Sequence, residues 1–190
     1  MLDVLMRNST EYKLIAREYG LQRAQRSQVL LIDHIHQGLQ IMDLFGATVQ
    51  AKLAYCLHPL VQNFVDLEAN LAKICREEML NPRALILAME YRNKANRYLC
   101  RPENDGYTWQ QLDNIVGKTL PEVRHMLIAD KIQNNKDFLL HHYGTHERSE
   151  QLKTYFENWF HILGVSQGEV RVATQRIYGV QPTIDKEAVL

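Results

Sequence analysis

Apolar residues recur at intervals of three and four along nearly the whole chain, and that period directs it to fold as helices. The clearest stripe is Ile32, Ile35, Leu39, Ile41, Met42 and Phe45, with Gly46 as its stop. An earlier helix carries Leu14, Ile15 and Tyr19 and ends near Gly20. A third starts at about Thr48, and Pro59 ends or kinks it. Leu60, Val61, Phe64, Leu67, Leu71 and Ile74 carry the pattern on. Asn81-Pro82 reads as a cap followed by a first-turn proline, opening a helix to about Leu99. Residues 101–106 read as a loop, and Pro121 opens a helix through Ile132. A last clear helix runs from about Glu147 to Leu163, where Gly164 stops it. Its aromatic set, Tyr155, Phe156, Trp159 and Phe160, reads as core or subunit interface.

The sequence therefore predicts an all-α bundle of roughly seven or eight helices over residues 1–165. Residues 166–190 read as a short irregular C-terminal arm, with Val170, Val172 and Thr174 as a candidate strand and a fraying end around Pro182. A length of 190 residues suits one domain.

Charge and cysteine content narrow the functional classes. Lys+Arg and Asp+Glu both number 22, so no net field draws nucleic acid or an anionic membrane. No apolar run is long enough to span a bilayer, and the N-terminus lacks a signal-peptide core. Cys56, Cys75 and Cys100 are few, odd in number and without a CxxC, so we expect reduced thiols and a cytoplasmic protein. A homo-oligomer is compatible with all of this.

Three segments place histidine or aspartate beside apolar helical positions: residues 29–36 with His34, 54–59 with His58, and 127–134 with Asp130. Two imidazoles and a carboxylate are a competent donor set for a divalent metal. A single core histidine with a satisfied partner is the commoner meaning of either segment alone. Asp130 could equally pair with Lys131, Lys136 or a helix terminus.

In order and local context these segments resemble the HD-domain superfamily, in particular the hydrolase domain of RelA/SpoT proteins and small alarmone hydrolases. Leu-Leu-Ile-Asp-His-Ile at 30–35 is similar to that family's first histidine segment, with His34 in the ligand position. Cys-Leu-His-Pro at 56–59 resembles the His-Asp segment, with His58 in place but Pro59 where the aspartate belongs. Ala-Asp-Lys-Ile-Gln-Asn at 129–134 matches the last carboxylate segment through Asp130, Lys131 and Asn134. Gln-Arg-Ala-Gln-Arg at 22–26 resembles the basic stretch that faces the nucleotide.

The resemblance implies an HD-like fold from about Glu11 to Phe138, with Mn²⁺ or another divalent metal on His34, His58 and Asp130. Arg23, Arg26, Lys131 and Asn134 would then orient a phosphorylated substrate. The family's acidic pair, which helps activate water, is replaced by Gln62 and Asn63. Asp33, His36, Asp66 and Glu68 are candidate substitutes for the missing carboxylates. Besides a helical scaffold that takes no small ligand, two readings are compatible with these residues. One is a degenerate HD domain that binds a nucleotide, another phosphorylated ligand or a protein partner without alarmone hydrolysis, with or without a metal. The other is an active metal-dependent phosphohydrolase.

Two further segments read as surface. Residues 90–98 carry Arg92, Lys94 and Arg97 and fit a solvated amphipathic face better than a phosphate site. Residues 140–148 carry His141, His142 and His146 and fit a loop in which Thr145 caps the next helix.

Overall fold

A computed structural model describes residues 4–25, 27–97 and 108–178. Arg26, the side chain of Arg97, the loop read at 101–106, Cys100 and the end beyond 178 lie outside the described residues.

The architecture is all-α. The helices are α1 (Val4–Asn8), α2 (Thr10–Tyr19), α3 (Leu31–Leu44), α4 (Val49–Val61), α5 (Phe64–Cys75), α6 (Pro82–Arg97), α7 (Trp109–Val116), α8 (Pro121–His141), α9 (Ser149–Ile162) and α10 (Gln167–Tyr178). Among the described residues there is no strand, only an isolated antiparallel bridge between Arg23 and Leu30. No described helix is long and apolar enough to cross a membrane.

Local chemistry sets the helix starts. Ser9, Thr48 and Asn63 each accept a hydrogen bond from the backbone N–H three residues on, satisfying a donor the helix itself cannot. Asn81 does the same for Arg83 and Ala84 ahead of α6. Pro121 occupies the first turn of α8, where its missing N–H costs nothing.

Three sequence expectations change. Residues 167–178 form a helix, α10, not a strand or irregular arm. Val170, Ala173 and Ile177 are its buried residues, a helical spacing, and it packs on α3 and α8. Pro59 does not end α4, which runs on to Val61. Thr145 does not cap α9: its hydroxyl donates to the His142 carbonyl, and the N-cap position falls on Arg148.

Packing sets α3, α4 and α6 against α8. α4 is sandwiched by α2 and α6, while α3 lies along α8. α3 and α4 approach so closely that a Cβ at Gly38 would fall 2.2 Å from the Tyr55 ring. Glycine in a helix interior costs roughly 0.5–1 kcal/mol relative to alanine, and here it makes room for Tyr55. α8 is buried on almost every side. Val123, Met126, Leu127, Ala129 and Ile132 feed the core, whereas Asp130, Gln133, Asn134 and Asp137 share another face. Tyr155, Phe156, Trp159 and Phe160 of α9 are all buried, so the aromatic set is core.

Candidate metal centre

The polar face of α8 borders a cavity of about 310 Å³. α3 contributes His34, α4 contributes His58 and Pro59, Gln62 follows at its end, and the loop before α3 contributes Ala24, Ser27 and Val29. At its floor His34, His58 and Asp130 each offer one ligand atom, all within 4.8 Å of one another. His34 Nε2 stands 3.2 Å from His58 Nε2 and 3.7 Å from Asp130 Oδ1. A group able to hold a metal ion is thus assembled from three helices.

The outer partners fix which nitrogen of each ring carries a proton. The Gln133 amide nitrogen donates to Asp137 Oδ2 at 2.7 Å, so its oxygen must face the other way. That oxygen lies 2.7 Å from His34 Nδ1, which therefore bears the hydrogen. His58 Nδ1 lies 2.6 Å from the Tyr55 carbonyl oxygen, which can only accept, so this nitrogen is protonated too. In the neutral rings both Nε2 atoms are then bare lone pairs. They face each other beside a carboxylate. The Tyr55 hydroxyl, 3.3 Å from His34 Nε2, serves one imidazole and not the other. A cluster of acceptors with its protons held on the outside fits a cation.

Electrostatics agree with this arrangement. Burial, reinforced by His34, holds the His58 imidazole down to about 3, against the pull of Asp130, so it stays neutral. Burial alone would raise the Asp130 carboxyl, but the Lys131 ammonium beside it keeps it below its ordinary value. Asp130 Oδ2 accepts from Lys131 Nζ at 3.0 Å and Oδ1 accepts from Asn134 Nδ2 at 2.8 Å.

The residues expected to meet substrate divide. Asn134 lines the cavity beside Asp130. Lys131 does not: it is 3% exposed, turned inward, with Nζ 4.9 Å from the Trp159 ring centroid. Arg23 is not a lining residue either, and its guanidinium donates to the Gln28 carbonyl at 2.7 Å, tying the loop together. Among the described residues no lysine or arginine lines the cavity. Of the candidate substitute acids and bases, none is a lining residue. His36 pairs with the Tyr12 hydroxyl at 2.9 Å. Asp33 is buried, its carboxyl raised mainly by that burial.

Three residues of the site escape a reading of the segments one by one. Gln133 and Asp137 complete a stripe with Asp130 at three- and four-residue steps along α8, a pattern visible in the sequence. Tyr55 gave no such signal, because its neighbours His34 and Gly38 belong to another helix. No family model, curated protein or solved structure matches the chain.

Proposed function

We propose that the protein is a divalent-metal-centred binding domain of the HD type, taking a small phosphorylated ligand without hydrolysing alarmone. The observation that carries this reading is the pair of imidazoles whose outer nitrogens are protonated and whose inner lone pairs converge with Asp130. The order of the donors, histidine, histidine, aspartate on α3, α4 and α8, supports the HD assignment. Mn²⁺ is the ion we would test first, since imidazole with carboxylate accommodates several divalent metals. Bound there, a divalent ion would supply Lewis acidity toward an anionic oxygen.

The chain's own groups then define the ligand. Ser27, Gln62 and Asn134 offer neutral hydrogen-bonding groups around the cavity. Among the described residues no lining cation awaits a second phosphate group. That favours a ligand with one compact anionic group over a doubly pyrophosphorylated nucleotide. Gln62 and Asn63, neither of which can act as a general base at neutral pH, account for the absence of alarmone turnover.

A phosphohydrolase is the second reading, and Asp137 is the observation that favours it. It is a cavity-lining carboxylate one helical turn beyond Gln133, ion-paired with Lys136 at 2.7 Å. The deciding experiment measures metal content, Mn²⁺ affinity and phosphate release from nucleoside monophosphates and alarmones, with and without chelator. We expect tight Mn²⁺ binding without release of product from alarmone. Failure to bind any divalent ion would end the proposal. Metal-dependent release that Asp137→Asn abolishes would establish the second reading.

A further inference from the structure

We infer that Pro59 is a positioning residue of the metal centre: by lacking a backbone N–H it frees the Tyr55 carbonyl to hold the His58 ring. The inference rests on the metal-binding reading above.

Pro59 lies inside α4, which continues to Val61. Within a helix each carbonyl accepts the N–H four residues on, so the partner of the Tyr55 carbonyl would be the N–H of residue 59. Proline has none, and its ring crowds that same carbonyl. The interior of a helix is the costliest place for this residue. In α4 the vacated carbonyl is used: His58 Nδ1 donates to it at 2.6 Å. His58 is 1% exposed, so its ring N–H calls for a partner within the protein.

The consequence reaches the ligand atom. A neutral imidazole carries one proton. With the Tyr55 carbonyl available, that proton sits on Nδ1 and Nε2 faces His34 and Asp130 as a lone pair. With an ordinary residue at 59, its N–H would compete for the carbonyl. The His58 proton would then be drawn to Nε2, toward His34 Nε2 and Asp130, into the position a metal must take. In this chain the departure from a His-Asp pair therefore removes one carboxylate and installs an orienting device for the histidine beside it.

The test compares the full wild-type chain with Pro59→Ala and His58→Ala. The tautomer of His58 is read in metal-free protein by long-range proton–nitrogen NMR, and Mn²⁺ alone is titrated calorimetrically. We expect Pro59→Ala to keep its helix content, with a melting temperature unchanged or raised. Its His58 proton should move from Nδ1 toward Nε2, and its Mn²⁺ affinity should fall tenfold or more. Pro59→Leu, which also restores the N–H, gives the same readings if the alanine protein is unstable. A proline of purely structural importance would change the melting temperature and leave the tautomer alone. Wild-type affinity and an unchanged Nδ1–H in Pro59→Ala would overturn the inference while the metal site stands. Wild-type protein that binds no Mn²⁺, with His58→Ala indistinguishable from it, would overturn the metal reading and this inference with it.

Discussion

The chain has two concentrations of histidine, and they differ in almost every respect that matters for chemistry. His141, His142 and His146 are near neighbours in sequence, at the end of α8 and in the turn after it. His141 is exposed, its ring lies 6.3 Å from that of His142, and His146 Nδ1 accepts from the Arg148 backbone. They form no metal-competent group with one another. His34 and His58 are 24 positions apart on different helices, yet their Nε2 atoms stand 3.2 Å apart. Crowding along the sequence supplies histidines but not a site. What brings imidazoles together as a candidate site is an outer partner for each ring, so that lone pairs are aimed at one point.

The contrast is broken or sharpened most forcefully by deleting donors. His58→Ala or Asp130→Ala should weaken Mn²⁺ binding by roughly a hundredfold or more, since each removes one of the three candidate ligands. The triple variant His141→Ala, His142→Ala, His146→Ala should change it by less than about twofold, as expected of side chains outside the site. Calorimetric titration checks both, and equal losses would erase the distinction.

Acid gives the next largest effect. Because His58 is held down to about 3 in the fold against an ordinary value of 6.5, the metal-free protein is disfavoured wherever the unfolded chain binds that proton and the folded one does not. Stability is therefore fully present above pH 6.5 and declines as the pH falls from 6.5 toward about 3. Denaturant midpoints across that range should flatten in His58→Gln.

Gln133→Leu keeps bulk near the cavity but removes the acceptor of His34 Nδ1. It should lower Mn²⁺ affinity by about 10–100-fold with the ligands intact. Gly38→Ala touches no donor at all. Its methyl would meet the Tyr55 ring, so a loss of about 1–3 kcal/mol is expected in urea unfolding. A neutral result would mean that α3 and α4 have slack at their closest approach.

The sequence made the helices legible wherever the apolar period met a glycine or proline boundary, as at Gly46 after α3 and at Pro121 opening α8. Among the helices it hid, α7 is only eight residues long and α10 carries an apolar alternation, but the starts of both were written plainly. Thr108 and Gln111 exchange hydrogen bonds ahead of α7, as Ser166 and Glu169 do ahead of α10. Both are a hydroxyl residue followed three places later by Glu or Gln, a signature that outranks the alternation of Val170, Val172 and Thr174. For the site, the three donors were found through a resemblance, because nothing local distinguishes them from core polar residues. The outer partners could not be found that way. Gln133 is ordinary until α3 brings His34 to it, and Lys131 looks like a substrate contact until α9 lays Trp159 against its ammonium group.

His34 and Gln133 are 99 positions apart, whereas His58 and the carbonyl that holds it share one helix. On the ribosome, at roughly 5–20 residues per second, the interval between His34 and its partner is several seconds of synthesis. During that time His34 has neither Gln133 nor Asp130, whereas the acceptor of His58 Nδ1 precedes it by three residues. The orientation of His34 therefore depends on tertiary structure that unites α3 with α8, whereas that of His58 depends on one turn of α4.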